Sequence, residues 1–313
     1  MDFYRVIEIH LSERAMSTGL AYQLRYRRWC EFIGAPWGAP GCEYQFLTAT
    51  KEQAADFMAL EMRRPSRPGR NGEMGRATST INVTLASLHS VYERLIAHGL
   101  CKENPFAVER AKRFRRVTEK RPTQAVPFEK VFEMMERPSR HTEEGRRDRA
   151  ILALLFGGGL RRSEVSKLRI RDARKSLTGI PFLRLVSPKG SGDCDQAIPQ
   201  WSADALSEWL IERKKLGAKE NDFVFPAMQG AGEKIHDATI YLLFKRYLGE
   251  VGLSTREFSP HSARATAITK MLSDGESYRD VQEFSRHKSV AMVELYDKRY
   301  LGIEKSPAKR LTY

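Results

Sequence analysis

A chain of 313 residues with 41% apolar content is long enough for about two domains, each with its own core. It holds no run of eighteen apolar residues, and Asp2, Glu8, Glu13 and Arg14 interrupt its first twenty, so neither a transmembrane helix nor a signal peptide is expected. A net charge of +14 with a pI near 9.7 points to a polyanionic partner, with nucleic acid, anionic membrane and plain solubility as competing explanations.

Residues 1–125 carry 20 Lys and Arg against 13 Asp and Glu, and residues 126–313 carry 33 against 26, so both parts stand near +7. This even spread argues for two folded parts that both face phosphate rather than for a disordered basic tail. Cys30, Cys42, Cys101 and Cys194 form no CxxC pair and no Cys/His cluster at zinc spacing, so reduced structural thiols and no metal are expected. The expected protein is soluble and cytoplasmic, without a membrane partner.

In chain order, Ser17 and Thr18 are read as caps of a helix over 19–33, with Leu20, Leu24, Trp29 and Phe32 near helical spacing. Residues 34–41 are a turn-rich break. A second helix begins after Thr50, with Phe57, Leu60 and Met62 as its apolar positions. Residues 63–75, rich in Arg, Pro and Gly, read as an exposed basic loop. Helical periodicity resumes over 78–98 through Ile81, Leu85, Leu88, Tyr92 and Leu95, Gly99 stops it, and Asn104-Pro105 ends the unit. Residues 110–121 then hold seven Lys/Arg and one Glu. Such a stretch is either a solvated linker or a basic strap across a duplex.

The second part is mixed. Helices are expected over 128–135, 147–156, 161–168, 204–215, 238–251, 262–273 and 278–285, with Gly157-Gly158-Gly159 between the second and third. Two short strands, 182–186 and 196–198, flank a turn rich in Pro, Gly, Ser and Asp.

Four pieces carry chemistry. Gly159-Leu160-Arg161-Arg162-Ser163-Glu164 lacks the Lys-Ser/Thr of a nucleotide P-loop, so an NTPase is not indicated. It places Arg161 at a helix start, where backbone N–H groups and guanidinium both favour an anion. Glu164 lies one turn on and can orient Arg161, although the pair alone reads equally as a surface salt bridge. In Ser259-Pro260-His261-Ser262-Ala263-Arg264, Ser259 suits an N-cap and Pro260 a first helical residue, so His261 and Arg264 project together. His287 precedes Tyr296 by nine residues, two and a half turns of straight helix, so Ser289-Val290 must break the helix if both reach one site. Lys189 sits at the predicted hairpin tip between Pro188 and Gly190, where a lysine is ordinarily just solvated.

The ordered set, GLRxSE, Lys-Gly at a strand turn, HxxR, then His with a Tyr nine residues on, resembles the tyrosine recombinase (phage integrase) family, and the resemblance covers nearly the whole chain. Two departures stand out: Ala265 follows Arg264 where the family often has His, and Ser285-Arg286 precedes His287 where it usually has Leu-Gly. Neither removes a catalytic group; both bear on packing at the helix starts.

The resemblance implies a mainly α fold with a small β-sheet (α+β). An N-terminal helical core-binding domain over 1–112, a basic linker over 113–125 and a catalytic domain with a C-terminal tail over 126–313 would form a C-shaped DNA clamp. Arg113, Arg115, Arg116, Lys120 and Arg121 of the linker would bind DNA. The implied catalytic set is Arg161, Lys189, His261, Arg264, His287 and Tyr296, with Glu164 in support. Arg161 and Arg264 suit a phosphoryl transition state because guanidinium forks bind oxygens bidentately and stay charged. A phenol near pKa 10 needs a proton acceptor, a role expected of His261, with His287 donating a hydrogen bond to phosphate. Lys189 would protonate the leaving 5′ oxygen. The 3′-phosphotyrosyl link keeps the bond energy, so no cofactor, neither ATP nor metal, is expected.

The implied partners are double-stranded DNA with specific recombination sites, a homotetramer on that DNA, and accessory DNA-bending or directionality proteins, with a nucleoid location when bound. Residues 301–313 read either as a segment that docks on a neighbouring protomer or as a frayed basic tail. A type IB topoisomerase and a catalytically silent DNA-binding regulator are the competing readings. A metal-dependent nuclease would need clustered carboxylates, and no convincing set is present.

Overall fold

Helical periodicity dominates the sequence, and helices dominate the computed structural model, which describes residues 2–64, 78–112, 123–186, 192–227 and 232–297. The chain divides into two compact units, Met1–Thr118 and Glu119–Tyr313. The division falls within the expected linker, whose Arg113, Arg115, Arg116, Lys120 and Arg121 lie outside the described residues.

The first unit holds α1 (Phe3–Ser12), α2 (Met16–Phe32), α3 (Cys42–Leu47), α4 (Lys51–Arg63), α5 (Thr78–Ala97) and α6 (Ala107–Lys112). Its core is aromatic. Trp29 packs edge-on to Phe57 and Phe106, and its indole N–H donates to the Tyr92 hydroxyl at 2.9 Å, which donates in turn to the Phe46 carbonyl at 2.7 Å. Both buried polar tips are thereby satisfied, as their burial requires. Asn104 ties the unit's end back to α5. Its Nδ2 donates to the His89 carbonyl at 3.1 Å and to Glu93 at 2.6 Å, while Oδ1 accepts from the Phe106 N–H.

Three local expectations are corrected here. Helix α2 starts at Met16 after Ala15, ahead of Ser17 and Thr18. Its buried face runs through Tyr26, Trp29 and Cys30, leaving Leu20 and Leu24 exposed at 62% and 51%. In α4, Ala54, Phe57, Met58 and Glu61 turn inward and Leu60 and Met62 outward. Periodicity finds an apolar stripe but not which of two adjacent stripes the neighbouring helices cover. All four cysteines are free thiols.

The second unit holds α7 (Phe128–Glu136), α8 (Glu143–Phe156), α9 (Arg162–Val165), a 3-10 turn (Ile170–Asp172), β1 (Ala173–Lys175), β2 (Pro181–Leu185), β3 (Cys194–Ala197), α10 (Gln200–Lys215), α11 (Asp237–Glu250), α12 (Pro260–Asp274), α13 (Tyr278–Ser285) and α14 (Val290–Glu294). The three strands form an antiparallel sheet in the order β1-β2-β3, with Leu183 opposite Gln196 and Leu185 opposite Cys194. Strand β1 was not expected; three residues with only a partly buried face give too little alternation to read. The start of α8 precedes the expected residue 147 because Thr142 caps it, its Oγ1 accepting from the Gly145 N–H at 3.1 Å.

Helix α8 is the axis of the main core, buried from Ala150 through Phe156. Helix α10 lies along it closely enough for Ser202 Oγ to donate to the Ala153 carbonyl at 2.8 Å. A second, smaller cluster joins α12, α13 and α14 through Ala265, Ile268, Leu272, Val281, Val293 and Tyr296. That cluster seats the C-terminal helices against α12, whose first turn faces the site. No helix among the described residues is long and apolar enough to cross a membrane.

Candidate active site

Five of the six residues expected to be catalytic are described, and all five lie in the second unit; Lys189 falls within residues 187–191, outside the described ones. Arg161 stands immediately before α9. That helix is one turn of four residues rather than the expected 161–168, so little macrodipole is available and the local positive charge is the guanidinium itself. Glu164 holds it twice: Oε2 accepts the Arg161 backbone N–H at 2.8 Å, and Oε1 accepts Nη1 at 2.6 Å.

Helix α12 supplies the next two groups. Ser259 precedes it in extended conformation, Pro260 begins it, and the Ser259 N–H donates to Ser262 Oγ at 3.1 Å. His261 is exposed, whereas Arg264, one turn further in, is 1% exposed. Arg264 Nη1 donates to the Gly159 carbonyl at 2.7 Å, and its buried Nε and Nη2 have no hydrogen-bond partner. Gly159 has φ +56°, and a Cβ there would meet the Phe284 ring at 2.9 Å. A Cβ at Gly157 or Gly158 would also clash, with Ser202 and with Leu160, but of the three glycines before Arg161 only Gly159 has positive φ, and its carbonyl is the one that reaches Arg264.

The C-terminal pieces complete the set. Helix α13 ends at Ser285, Arg286 adopts the left-handed conformation at φ 53°, and α14 starts after Ser289. The break therefore begins earlier than Ser289-Val290 and leaves His287 outside both helices. It brings the His287 and Tyr296 rings together, stacked at 6.0 Å between centroids and 19° between planes. His287 Nδ1 lies 2.9 Å from Ser285 Oγ, and Gln282 Nε2 donates to the His287 carbonyl at 3.1 Å. Tyr296 is 8% exposed.

These groups sense one another. Burial first, then the charges of Arg161 and Arg286, hold the Arg264 pKa down to about 9. Burial, followed by Arg264, Arg161, His261 and Arg286, holds His287 down to about 4. His261, though exposed as a residue, is depressed by partial desolvation of its ring and then by the charges of Arg264 and Arg161. Burial raises Tyr296 above an ordinary phenol, against the pull of Arg264 and Thr123. Burial acts to raise Glu164, but Arg286 and the Arg161 contacts outweigh it and its pKa is lowered. At neutral pH both imidazoles are thus neutral, the phenol is protonated, and one carboxylate faces three guanidiniums. Such a cluster is matched to an anion, and its buried, unpartnered donors are aimed by a rigid scaffold.

Arg286, Gln196, Ser285 and the Gly159 carbonyl were not expected to take part. The one signal for Arg286 was its place beside His287 at a helix end; nothing local marks Gln196. Among the described residues no group of three His, Cys, Asp or Glu side chains is placed to hold a metal ion.

Residues 125–300 match the model of the Phage integrase family. A tyrosine recombinase of Synechococcus elongatus is 33% identical over 230 residues, 72% of this chain and 68% of the relative. A tyrosine recombinase XerC of Pelobacter propionicus is 29% identical over 307 residues, 95% of this chain and 90% of the relative. Among solved structures, the Tn1549 transposon integrase in complex with transposon right end DNA aligns with a TM-score of 0.66 at 17% identity, over 97% of each chain. A lambda integrase dimer bound to a core site aligns with a TM-score of 0.60 at 16% identity, over 96% of this chain and 79% of that one.

Proposed function

Since the chain belongs to the phage integrase family of tyrosine recombinases, we propose that it is a site-specific DNA recombinase that cleaves and rejoins strands through Tyr296. The observation that carries this reading is the pairing of two buried, unpartnered donors of Arg264 with a tyrosine stacked on His287. The donors fit a phosphodiester, and the tyrosine supplies a nucleophile beside it.

In this mechanism Arg161 and Arg264 take the non-bridging oxygens of the scissile phosphate, where charge grows as the attacking oxygen closes on phosphorus. Tyr296 Oη forms the new bond to phosphorus and the bond to the 5′ oxygen breaks, leaving a 3′-phosphotyrosyl link and a 5′ hydroxyl. The raised Tyr296 needs a base, and His261, neutral at pH 7 and exposed towards an incoming duplex, accepts its proton. With Nδ1 placed 2.9 Å from Ser285 Oγ, Nε2 is the ring nitrogen of His287 left to serve the phosphate, as a donor in the tautomer that carries its proton there. Lys189 protonates the leaving oxygen. One phosphate ester replaces another, so the reaction draws on neither ATP nor a metal.

The two units, separated by a basic linker, would grip double-stranded DNA at specific sites. Arg113, Arg115, Arg116, Lys120 and Arg121 would contact phosphates, and four copies would assemble on two sites with accessory bending or directionality proteins. The test uses nicked suicide duplexes tiled across the DNA flanking the gene, in EDTA, with the unaltered chain beside Tyr296→Phe. The expected result is an SDS-resistant adduct from the unaltered chain alone, with duplex binding equal in both. Tight binding without any adduct would favour a silent regulator, and plasmid relaxation without target sites would favour a topoisomerase.

A further inference from the structure

Arg286 is the one non-glycine among the described residues with positive φ, at 53°. A side chain disfavours that conformation, because its Cβ crowds the following carbonyl oxygen, and the residue also buries an Nε with no hydrogen-bond partner. Such a residue persists where its side chain does something a glycine cannot.

What it does is join three segments. Nη2 donates to Glu164 Oε2 at 2.8 Å, the same oxygen that accepts the Arg161 backbone N–H. Nη1 donates to Gln196 Oε1 and to the Phe284 carbonyl. Gln196 is buried on β3, the outgoing strand of the hairpin in which Lys189 falls by sequence. The next residue in the chain is His287. The guanidinium therefore ties β3 to the α9 start, beside Arg161, and to the turn before α14, which carries His287. Glu164 is shared between Arg161 and Arg286, so loss of Arg286 frees the carboxylate that orients Arg161.

We propose that Arg286 is a positioning residue for strand cleavage, its fork holding Glu164 and Gln196 so that Arg161, the β2–β3 hairpin and His287 keep one geometry. Both its Nη groups are turned to protein acceptors and its Nε is buried, so it is not a phosphate ligand. This role rests on the recombinase reading above.

Arg286→Gly is a clean probe because glycine suits φ 53°, so the backbone is relieved rather than strained. On a nicked duplex that the unaltered chain cleaves, single-turnover adduct formation by Arg286→Gly should slow about 100-fold, the scale of an ångström-level misplacement. Its Kd for the intact duplex should stay within about twofold and its thermal midpoint should not fall. Arg286→Lys, keeping the charge and one contact, should slow about tenfold. Gln196→Leu should slow cleavage, and adding it to Arg286→Gly should slow it no further, since both break the same tie. Cleavage by Arg286→Gly within threefold of the unaltered chain overturns the proposal. An equal loss in binding and cleavage overturns it too, by making Arg286 a DNA contact. No adduct from the unaltered chain on any tiled duplex is a different failure: it overturns the recombinase reading, and this role falls with it.

Discussion

Replacing Arg264 with methionine is expected to strengthen the free protein while disabling it. The side chain is 1% exposed, makes one hydrogen bond, to the Gly159 carbonyl at 2.7 Å, and has its pKa held down to about 9. Each tenfold loss of proton affinity corresponds to about 1.4 kcal/mol, so folding around a charged Arg264 costs on the order of 5 kcal/mol. The cost is in full force below about pH 9, where the group is charged in folded and unfolded chains alike, and fades as pH rises through that value. Methionine occupies similar space without charge but orphans the Gly159 carbonyl, which offsets roughly 1–3 kcal/mol of the gain. Urea unfolding at pH 7.5 should therefore show Arg264→Met more stable by about 2–4 kcal/mol. Single-turnover cleavage should fall about 10²–10⁴-fold, because two charge-assisted donors of roughly 1.5–3 kcal/mol each are lost from the transition state. A variant that is less stable than the unaltered chain, or that cleaves at a comparable rate, would refute the idea that Arg264 is held under-satisfied for an anion.

Two further outcomes follow from the same geometry. His261 must be neutral to take a proton, and it stays neutral below its ordinary range, so cleavage at sub-saturating duplex should be flat from pH 8 to 6.5 and decline only on further acidification. A tenfold fall between pH 8 and 6.5 would remove it as the base. Gly159→Ala forces a left-handed alanine against the Phe284 ring and should cost about 2–4 kcal/mol of unfolding free energy. Cleavage should weaken with it, as the displaced carbonyl releases Arg264; a crystal structure with the Arg264–Gly159 bond intact would contradict this.

Helical content and the order of the chemical groups were legible in the sequence because both are local. Thr50 as a cap and the Pro260 start of α12 act within one turn of the residues they organise. The stripe Ile81, Leu85, Leu88, Tyr92 and Leu95 is buried along its whole length because the other helices of the unit leave that face of α5 no solvent. Where two apolar stripes compete, as Leu20 and Leu24 do with Tyr26 and Cys30, the choice belongs to the partner helices and left no local trace. The same holds for β1, which exists because β2 offers it an edge.

By itself, then, the sequence determined which groups are available and in what order: two guanidiniums, two imidazoles and a phenol, on a mainly helical chain with one small sheet. Only the tertiary structure decided how they act on one another. Arg264 and Arg161 are 103 positions apart in the chain, yet Arg161 depresses Arg264 and both depress His261, because α12 carries its first turn to the start of α9. Whether a histidine is neutral, a phenol protonated or an arginine under-bonded depends on burial and on charges brought from elsewhere in the chain. Arg286 shows the limit most plainly. In sequence it is an arginine ahead of a histidine; in space its positive φ and its two acceptors, 122 and 90 positions away, make it part of the site.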